Sequence, residues 1–129
     1  MGKKKEKMIK VLRLNAGEAP EVEVIENKLE AFQGIVGGLI EVVGFKNVLC
    51  IINEEGKLLD LKPNFMFPLY HTEDKQYFDV ICGDVVFVGD DGAEFRSLTE
   101  QELEQAFLTI MEGKIIMNKF IRTGQLEGV

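Results

Sequence analysis

Short runs of β-branched and aliphatic residues, each ended by turn-forming residues, occupy most of the sequence between residues 8 and 96. They predict strands at residues 8–14, 21–25, 39–43, 48–52, 78–82 and 85–88. Gly, Asn and Asp between consecutive runs favour tight turns, which join antiparallel neighbours. With helices near its two ends, the chain is predicted to form an α+β fold with a mostly antiparallel sheet built from hairpins.

Two segments have the 3.6-residue period of amphipathic helices, at about 27–37 and 99–112. Asn27 and Thr99 are each followed three residues later by a glutamate, which is the pattern of a capping box. The second helix can also extend past Gly113. Residues 8–112 are therefore predicted to form one domain, with 113–129 as an apolar C-terminal extension.

Two connections complete the predicted fold. The turn at 53–56 is predicted to return the chain as a strand at 58–61, and the turn at 90–92 leads to a short strand at 94–96. Residues 63–77 show neither the 3.6-residue period of a helix nor the alternation of a strand. They are interpreted as a long loop, a class of segment that often carries function. This loop holds Asn64, Phe65, Tyr70 and His71.

The segment GIVGGLIEVV at 34–43 is predicted to end a helix and begin a strand. A phosphate-binding glycine loop has the opposite order, because it places the amides of a helix N-terminus against the anion. Gly37 or Gly38 in the left-handed region would instead end the helix. Glu41 shares its strand face with Val43; it either faces water from an edge strand or accepts hydrogen bonds from a ligand or partner.

Charge and composition limit the classes of function. The first ten residues hold five lysines against Glu6, so the rest of the chain is more acidic than the overall net charge of −7. An acidic body repels phosphate backbones, which argues against nucleic-acid binding. Residues 1–7 are interpreted as a disordered basic leader. No apolar run is long enough for a membrane span, and the isolated Cys50 and Cys82 favour free thiols in the cytoplasm.

Motifs for catalysis and metal binding are missing from the sequence. His71 is the single histidine, the paired acids Glu54-Glu55 and Asp90-Asp91 occupy turn positions, and no nucleophile or metal-ligand spacing occurs. The sequence therefore predicts a protein that is not an enzyme and has no cofactor. The alternative is an enzyme whose active site is centred on Glu41 or His71. Ile115, Ile116 and Phe120 in the C-terminal extension either pack into the core or form a contact between subunits.

Several motifs resemble one family of small bacterial and bacteriophage domains, named domain of unknown function 3846. The similarity covers residues 8 to about 104 and includes LEAFQGIVGGLIEVV, the turn NEEGKL, Asn64 in LKPN, and GDVVFVG before LTEQE. The family has an aspartate before its Glu-Glu-Gly turn, where this chain has Asn53. The resemblance implies no established activity; it implies a context of phages and mobile elements, where small acidic proteins counter host defences. The polar members of the shared motifs are Gln33, Glu41 and Asn64.

We therefore expect a cytoplasmic binding module for a small polar, nucleotide-like ligand, with homo-oligomerisation through the C-terminal residues. Gln33, Glu41 and Asn64 are predicted to hold the ligand, Phe65 and Tyr70 to stack on it, and Arg96, Lys62 or His71 to contact a phosphate. The alternative is an acidic module that docks on a basic host protein, of the anti-restriction type. The two hypotheses differ in whether a small molecule or a protein stabilises the chain.

Overall fold

The fold is built on one antiparallel sheet with a layer on each face. The computed structural model describes residues 5–45 and 47–123. Its elements are β1 (Met8–Leu14), β2 (Glu21–Glu26), α1 (Leu29–Val36), β3 (Ile40–Phe45), β4 (Val48–Asn53), β5 (Pro63–His71), β6 (Gln76–Cys82), β7 (Val85–Asp90), β8 (Phe95–Arg96) and α2 (Glu100–Arg122). The main sheet has the order β2-β1-β7-β4-β3, β8 pairs with β7, and β5 and β6 form a separate hairpin. The predicted α+β class is confirmed.

Alternation along the strands divides the core between the two faces of the sheet. Leu12, Cys50 and Phe87 point to one face, which is covered by the β5–β6 hairpin and by α2. Val11 and Val86 point to the other face, which is covered by Phe32 and Val36 of α1. The central strand β7 is buried on both faces, which explains why its sequence is a continuous apolar run.

Helix α1 begins differently from the prediction. Its N-cap is Lys28, without a side-chain cap, so the predicted capping box at Asn27 is wrong. The Asn27 amide instead donates hydrogen bonds to the carbonyl oxygens of Glu6 (3.1 Å) and Phe95 (2.9 Å). At the other end Gly37 has φ +80° and donates to the carbonyl of Gln33, so the predicted glycine stop is confirmed.

Helix α2 begins at the predicted capping box. The Thr99 hydroxyl accepts a hydrogen bond from the Glu102 backbone (3.1 Å), and the Glu102 carboxylate accepts one from the Thr99 backbone (2.9 Å). The helix then continues through Gly113 to Arg122. Residues 113–122 of the predicted C-terminal extension are therefore the second half of α2.

Two predicted connections have a different structure. Residues 58–61 are not a strand, because both edges of β4 are already paired, with β3 and β7; residues 54–60 form turns after β4 instead. The predicted loop at 63–77 is wrong for most of its length, since β5 occupies 63–71 and pairs with β6. Register shifts between Pro63 and Phe65 and between Pro68 and Tyr70 interrupt this hairpin, and they explain why its strand period was hidden.

The ends of the described chain bear on two further predictions. Glu6 and Lys7 contact the domain: the Lys7 carbonyl accepts from the Asn27 backbone, and the Glu6 carboxylate accepts from the Ser97 hydroxyl. Residues 1–4 of the predicted leader and 124–129 of the predicted extension lie outside the described residues. Neither helix in the described part of the chain is both long and apolar enough to cross a bilayer.

Candidate functional site

The three polar residues predicted to share a ligand lie in three different places. Gln33 is on α1, on the opposite face of the main sheet from α2. Glu41 is exposed on β3 and lines a cavity of about 150 Å³ beside β6. Asn64 is buried in β5 and lines another cavity, which shares no residue with the first. The structure therefore does not bring Gln33, Glu41 and Asn64 into one pocket.

The predicted stacking residue Phe65 belongs to the core. It is fully buried, and its ring centroid lies 5.9 Å from that of Phe67 and 6.0 Å from that of Phe87. A ligand therefore has no access to its ring. The side chains of Tyr70 and His71 lie outside the part of the structure that is described, so their predicted roles stay predictions.

Arg96 has a structural partner in place of the predicted phosphate. Its guanidinium makes two parallel hydrogen bonds to the Glu102 carboxylate, at 2.7 and 2.9 Å, and a third to the Ser97 carbonyl. This geometry is the strong bidentate form of an Arg–carboxylate pair. The hydrogen bonds from Arg96 lower the pKa of Glu102 to about 2, and the Thr99 backbone contributes in the same direction. The pair joins β8 to the first turn of α2.

Acidification is expected to remove the stabilisation that this pair provides. Because the pKa of Glu102 falls from 4.5 to about 2 on folding, its contribution is present above about pH 4.5 and lost as the pH falls towards 2. We expect Glu102→Gln to lower the free energy of unfolding by about 2 kcal/mol at pH 7 and by less at pH 3. Urea unfolding at both pH values measures the difference. The exposed acid Glu112, changed to Gln, is the control and should show equal effects at the two pH values.

The cavity beside Glu41 is small and acidic. Lys57, the one lysine among the described residues that line it, already contacts both carboxylate oxygens of Asp79, at 2.5 and 2.6 Å. Glu54 and Glu55 line the same cavity from the turn after β4. Among the residues that the structure describes, no group of three or more His, Cys, Asp or Glu is placed to hold a metal ion. A small anion would meet mostly negative charge here.

The two cysteines are free and remain protonated. Cys50 is buried in the core, and burial raises the pKa of its thiol. Burial also raises the pKa of the half-buried Cys82, against the smaller opposing effect of Lys57. Because the thiolate is the reactive form, neither side chain is set up as a nucleophile.

A larger cavity lies between the chain before β5 and the second half of α2. It has a volume of about 460 Å³ and is lined by Gly17, residues 60–64, and Lys114, Met117, Asn118 and Ile121 of α2. We call it the two-lysine cavity, because Lys62 and Lys114 provide its positive charges. The size is within the usual range of small-molecule sites, roughly 300–1,000 Å³.

Asn64, which lines this cavity, has an unused hydrogen-bond acceptor. Its amide nitrogen donates to the carbonyl oxygens of Leu14 (3.0 Å) and Gly83 (2.9 Å), which ties β5 to β1 and to the β6–β7 turn. Its amide oxygen is buried and accepts no hydrogen bond from the described residues. An unsatisfied buried acceptor costs free energy, roughly 1–3 kcal/mol.

Both lysines of the cavity lack an acidic partner within the described chain. Burial lowers the pKa of Lys114, and the nearby charge of Lys62 lowers it further. Lys114 donates one hydrogen bond, to the Glu18 carbonyl at 3.3 Å. Asp60 also lines the cavity but forms no ion pair with either lysine. Two neighbouring cations without a counter-charge favour the uptake of an anion.

Sequence reasoning named Lys62 and Asn64 but missed the residues from α2. Lys114, Asn118 and Ile121 follow one another at helical spacing, which was the available signal. This spacing does not show that the helix face meets the start of β5, because the sequence predicts a loop at residues 63–77. A second group of lysines, Lys5, Lys7 and Lys28, lines a surface cavity with Glu26, and Lys28 is paired with that acid at 3.1 Å.

The fold defines the class of this protein: a small α+β domain whose antiparallel sheet carries one helix on one face and a hairpin with a second helix on the other. The sequence model of the family described as domain of unknown function (DUF3846) matches residues 9–111, and the chain belongs to this family. Comparison with curated proteins and with solved structures gives no match. The family match includes Lys62 and Asn64 and ends before Lys114.

Proposed function

We propose that this domain is a binding module without enzymatic activity, and that the two-lysine cavity takes up a small anionic, nucleotide-like ligand. The observation that carries the proposal is that Lys62, Lys114 and Asn64 line one cavity of an acidic protein, with the two lysines unpaired among the described residues. This site replaces the set formed by Gln33, Glu41 and Asn64, which the structure separates.

Each part of the cavity suits one part of such a ligand. Lys62 and Lys114 would bind a phosphate group as two point charges. Asn64, which lines the cavity, would be the residue to hydrogen-bond a hydroxyl or amino group. Met117 and Ile121 would pack against a ring, since the described residues that line this cavity include no aromatic side chain. The combination of phosphate, polar donor and flat apolar surface is the reason for the term nucleotide-like.

The cavity also explains how an acidic protein could bind an anion. The net charge of −7 weakens long-range attraction of phosphates. Contacts inside a partly buried cavity act over a few ångströms and are screened less by salt. The proposal therefore predicts specific binding of a small anion together with weak binding of polymeric nucleic acid.

Thermal unfolding of the full chain with a panel of nucleoside mono- and diphosphates tests the proposal. A ligand at a hundredfold excess over its Kd should stabilise the fold by about 2.7 kcal/mol and raise Tm by roughly 8 °C. Lys62→Gln and Lys114→Gln should each weaken binding by roughly tenfold or more, since each removes a charge-assisted contact. Lys75→Gln removes the same charge from an exposed position on the β5–β6 turn and should leave binding unchanged.

Two results would contradict the proposal. One is the absence of stabilisation by every member of the panel. The other is stabilisation that persists unchanged in both cavity variants, which would place the ligand elsewhere. Capture of a basic protein that moderate salt releases, together with no response to small anions, would favour the alternative of an acidic interaction module.

A further inference from the structure

Three large apolar side chains form a stripe on the outer side of α2. Leu108, Met111 and Ile115 are 60%, 59% and 61% exposed. Their spacing of three and four residues places them on one face of the helix. The residues that face the core, Leu103, Ala106, Ile110 and Gly113, lie on the opposite side. No described part of the chain covers the stripe.

Opposite charges extend the stripe at its two ends. Continuing the same spacing adds Glu104 before Leu108, and Asn118 and Arg122 after Ile115. We call these six residues the α2 stripe: Glu104, Leu108, Met111, Ile115, Asn118 and Arg122. Glu104 and Arg122 are equally far in sequence from Gly113, and neither forms an ion pair among residues 5–45 and 47–123. The stripe thus has an apolar middle, a negative end and a positive end.

We propose that the α2 stripe binds the same stripe of a second copy of this chain, with the two helices antiparallel. A two-fold axis near the level of Gly113 places Glu104 of each copy opposite Arg122 of the other. The same axis places Met111 opposite Ile115 and Leu108 opposite Asn118. An isologous contact of this kind uses one surface twice, so a stripe with opposite ends is complementary to itself.

Charge selects the antiparallel arrangement over the parallel one. Parallel helices would place Glu104 against Glu104 and Arg122 against Arg122, which is repulsive at both ends. Antiparallel helices also align their macrodipoles favourably. Asn118 lies within the contact, and a polar residue in a helix–helix seam favours one register over its neighbours.

The contact surface differs from the one predicted from sequence. Ile115 belongs to the α2 stripe, whereas Ile116 and Phe120 are half-buried against the domain. A single helix seam of this length buries less than about 1,200 Å², the range of weak and transient interfaces. The expected state is a dimer that dissociates on dilution.

Sedimentation equilibrium of the full chain, over a wide concentration range, tests the pairing by charge reversal. Glu104→Lys and Arg122→Glu should each raise the dimer Kd by about tenfold. Each change places two side chains of like charge opposite each other, and it does so at both ends of the symmetric dimer. The double variant reverses both charges and should return Kd to within about threefold of its original value. Met111→Glu, which places a charge in the apolar middle, should leave only monomer.

The single reversals separate specific pairing from general repulsion. The chain has a net charge of −7, so repulsion between copies predicts stronger association for Glu104→Lys, whereas the proposal predicts weaker association. Val24→Glu changes an apolar residue of similar exposure on the edge strand β2 and is the control. The proposal is wrong if the unmodified chain is a monomer throughout, if the double reversal does not restore Kd, or if Val24→Glu disrupts the dimer. The proposal is also wrong if the unmodified chain is a monomer that binds a different protein and if Met111→Glu abolishes that binding.

Discussion

Replacing Phe65 with alanine is expected to lower the free energy of unfolding by about 3–5 kcal/mol. Phe65 is fully buried, and its ring meets Phe67 of its own strand edge to face and Phe87 of the central strand β7 at a tilt. Its Cδ2 atom also lies close to Gly113 of α2. The ring therefore joins the β5–β6 hairpin, the main sheet and α2, and its loss leaves a cavity at their junction.

Urea unfolding measures this effect, because the product of the slope and the midpoint gives the free energy of unfolding. Tyr77→Ala removes an aromatic ring of the same hairpin from an exposed position and should cost less than about 1 kcal/mol. A Phe65→Ala chain of unchanged stability that no longer binds a nucleotide-like ligand would contradict the structural role. It would support the original hypothesis that this ring stacks on a ligand.

Local patterns predicted the elements that lie in regular parts of the fold. The alternation in Met8–Leu14, the capping box at Thr99 and the left-handed glycine after α1 each act through neighbours in sequence, so the sequence alone shows them. The start of α1 shows the limit of this reasoning. Asn27 fits the local pattern of an N-cap, but its amide has two carbonyl partners from distant segments, Glu6 and Phe95. A tertiary contact replaced the local one.

The candidate site was harder to predict, because it depends on contacts between distant segments. The sequence indicates Asn64 as a ligand-binding residue and Lys62 as one of three possible phosphate contacts. Their partner Lys114 is far along the chain, on a helix face that meets β5 only in the folded protein. The bulges in β5 hid its alternation, and with it the position of this helix. The pairing of Arg96 with Glu102 is hidden for a related reason: in the sequence, Glu102 fits the capping box of α2, which gives no sign of a second partner.

Replacing Gly113 with alanine is expected to destabilise the fold by about 3 kcal/mol, at the upper end of the usual cost of overpacking. A methyl group at this position would overlap the carbonyl oxygen of Met66 and lie 2.8 Å from Cδ2 of Phe65. The overlap is with backbone, which cannot rotate away, so α2 or β5 would have to move. The higher helix propensity of alanine, worth about 1 kcal/mol, offsets only part of this cost.

Gly34→Ala is the matched control for this prediction. Gly34 is also inside a helix, but it is exposed, and a methyl group there would meet nothing within 4 Å. Alanine should therefore stabilise the chain at Gly34 by up to about 1 kcal/mol, because helix propensity acts alone. Opposite signs at the two glycines, measured by urea unfolding, are the expected result. If Gly113→Ala were also stabilising, α2 would lie further from β5. The two-lysine cavity, which these same two elements enclose, would then lose the geometry on which the proposed function depends.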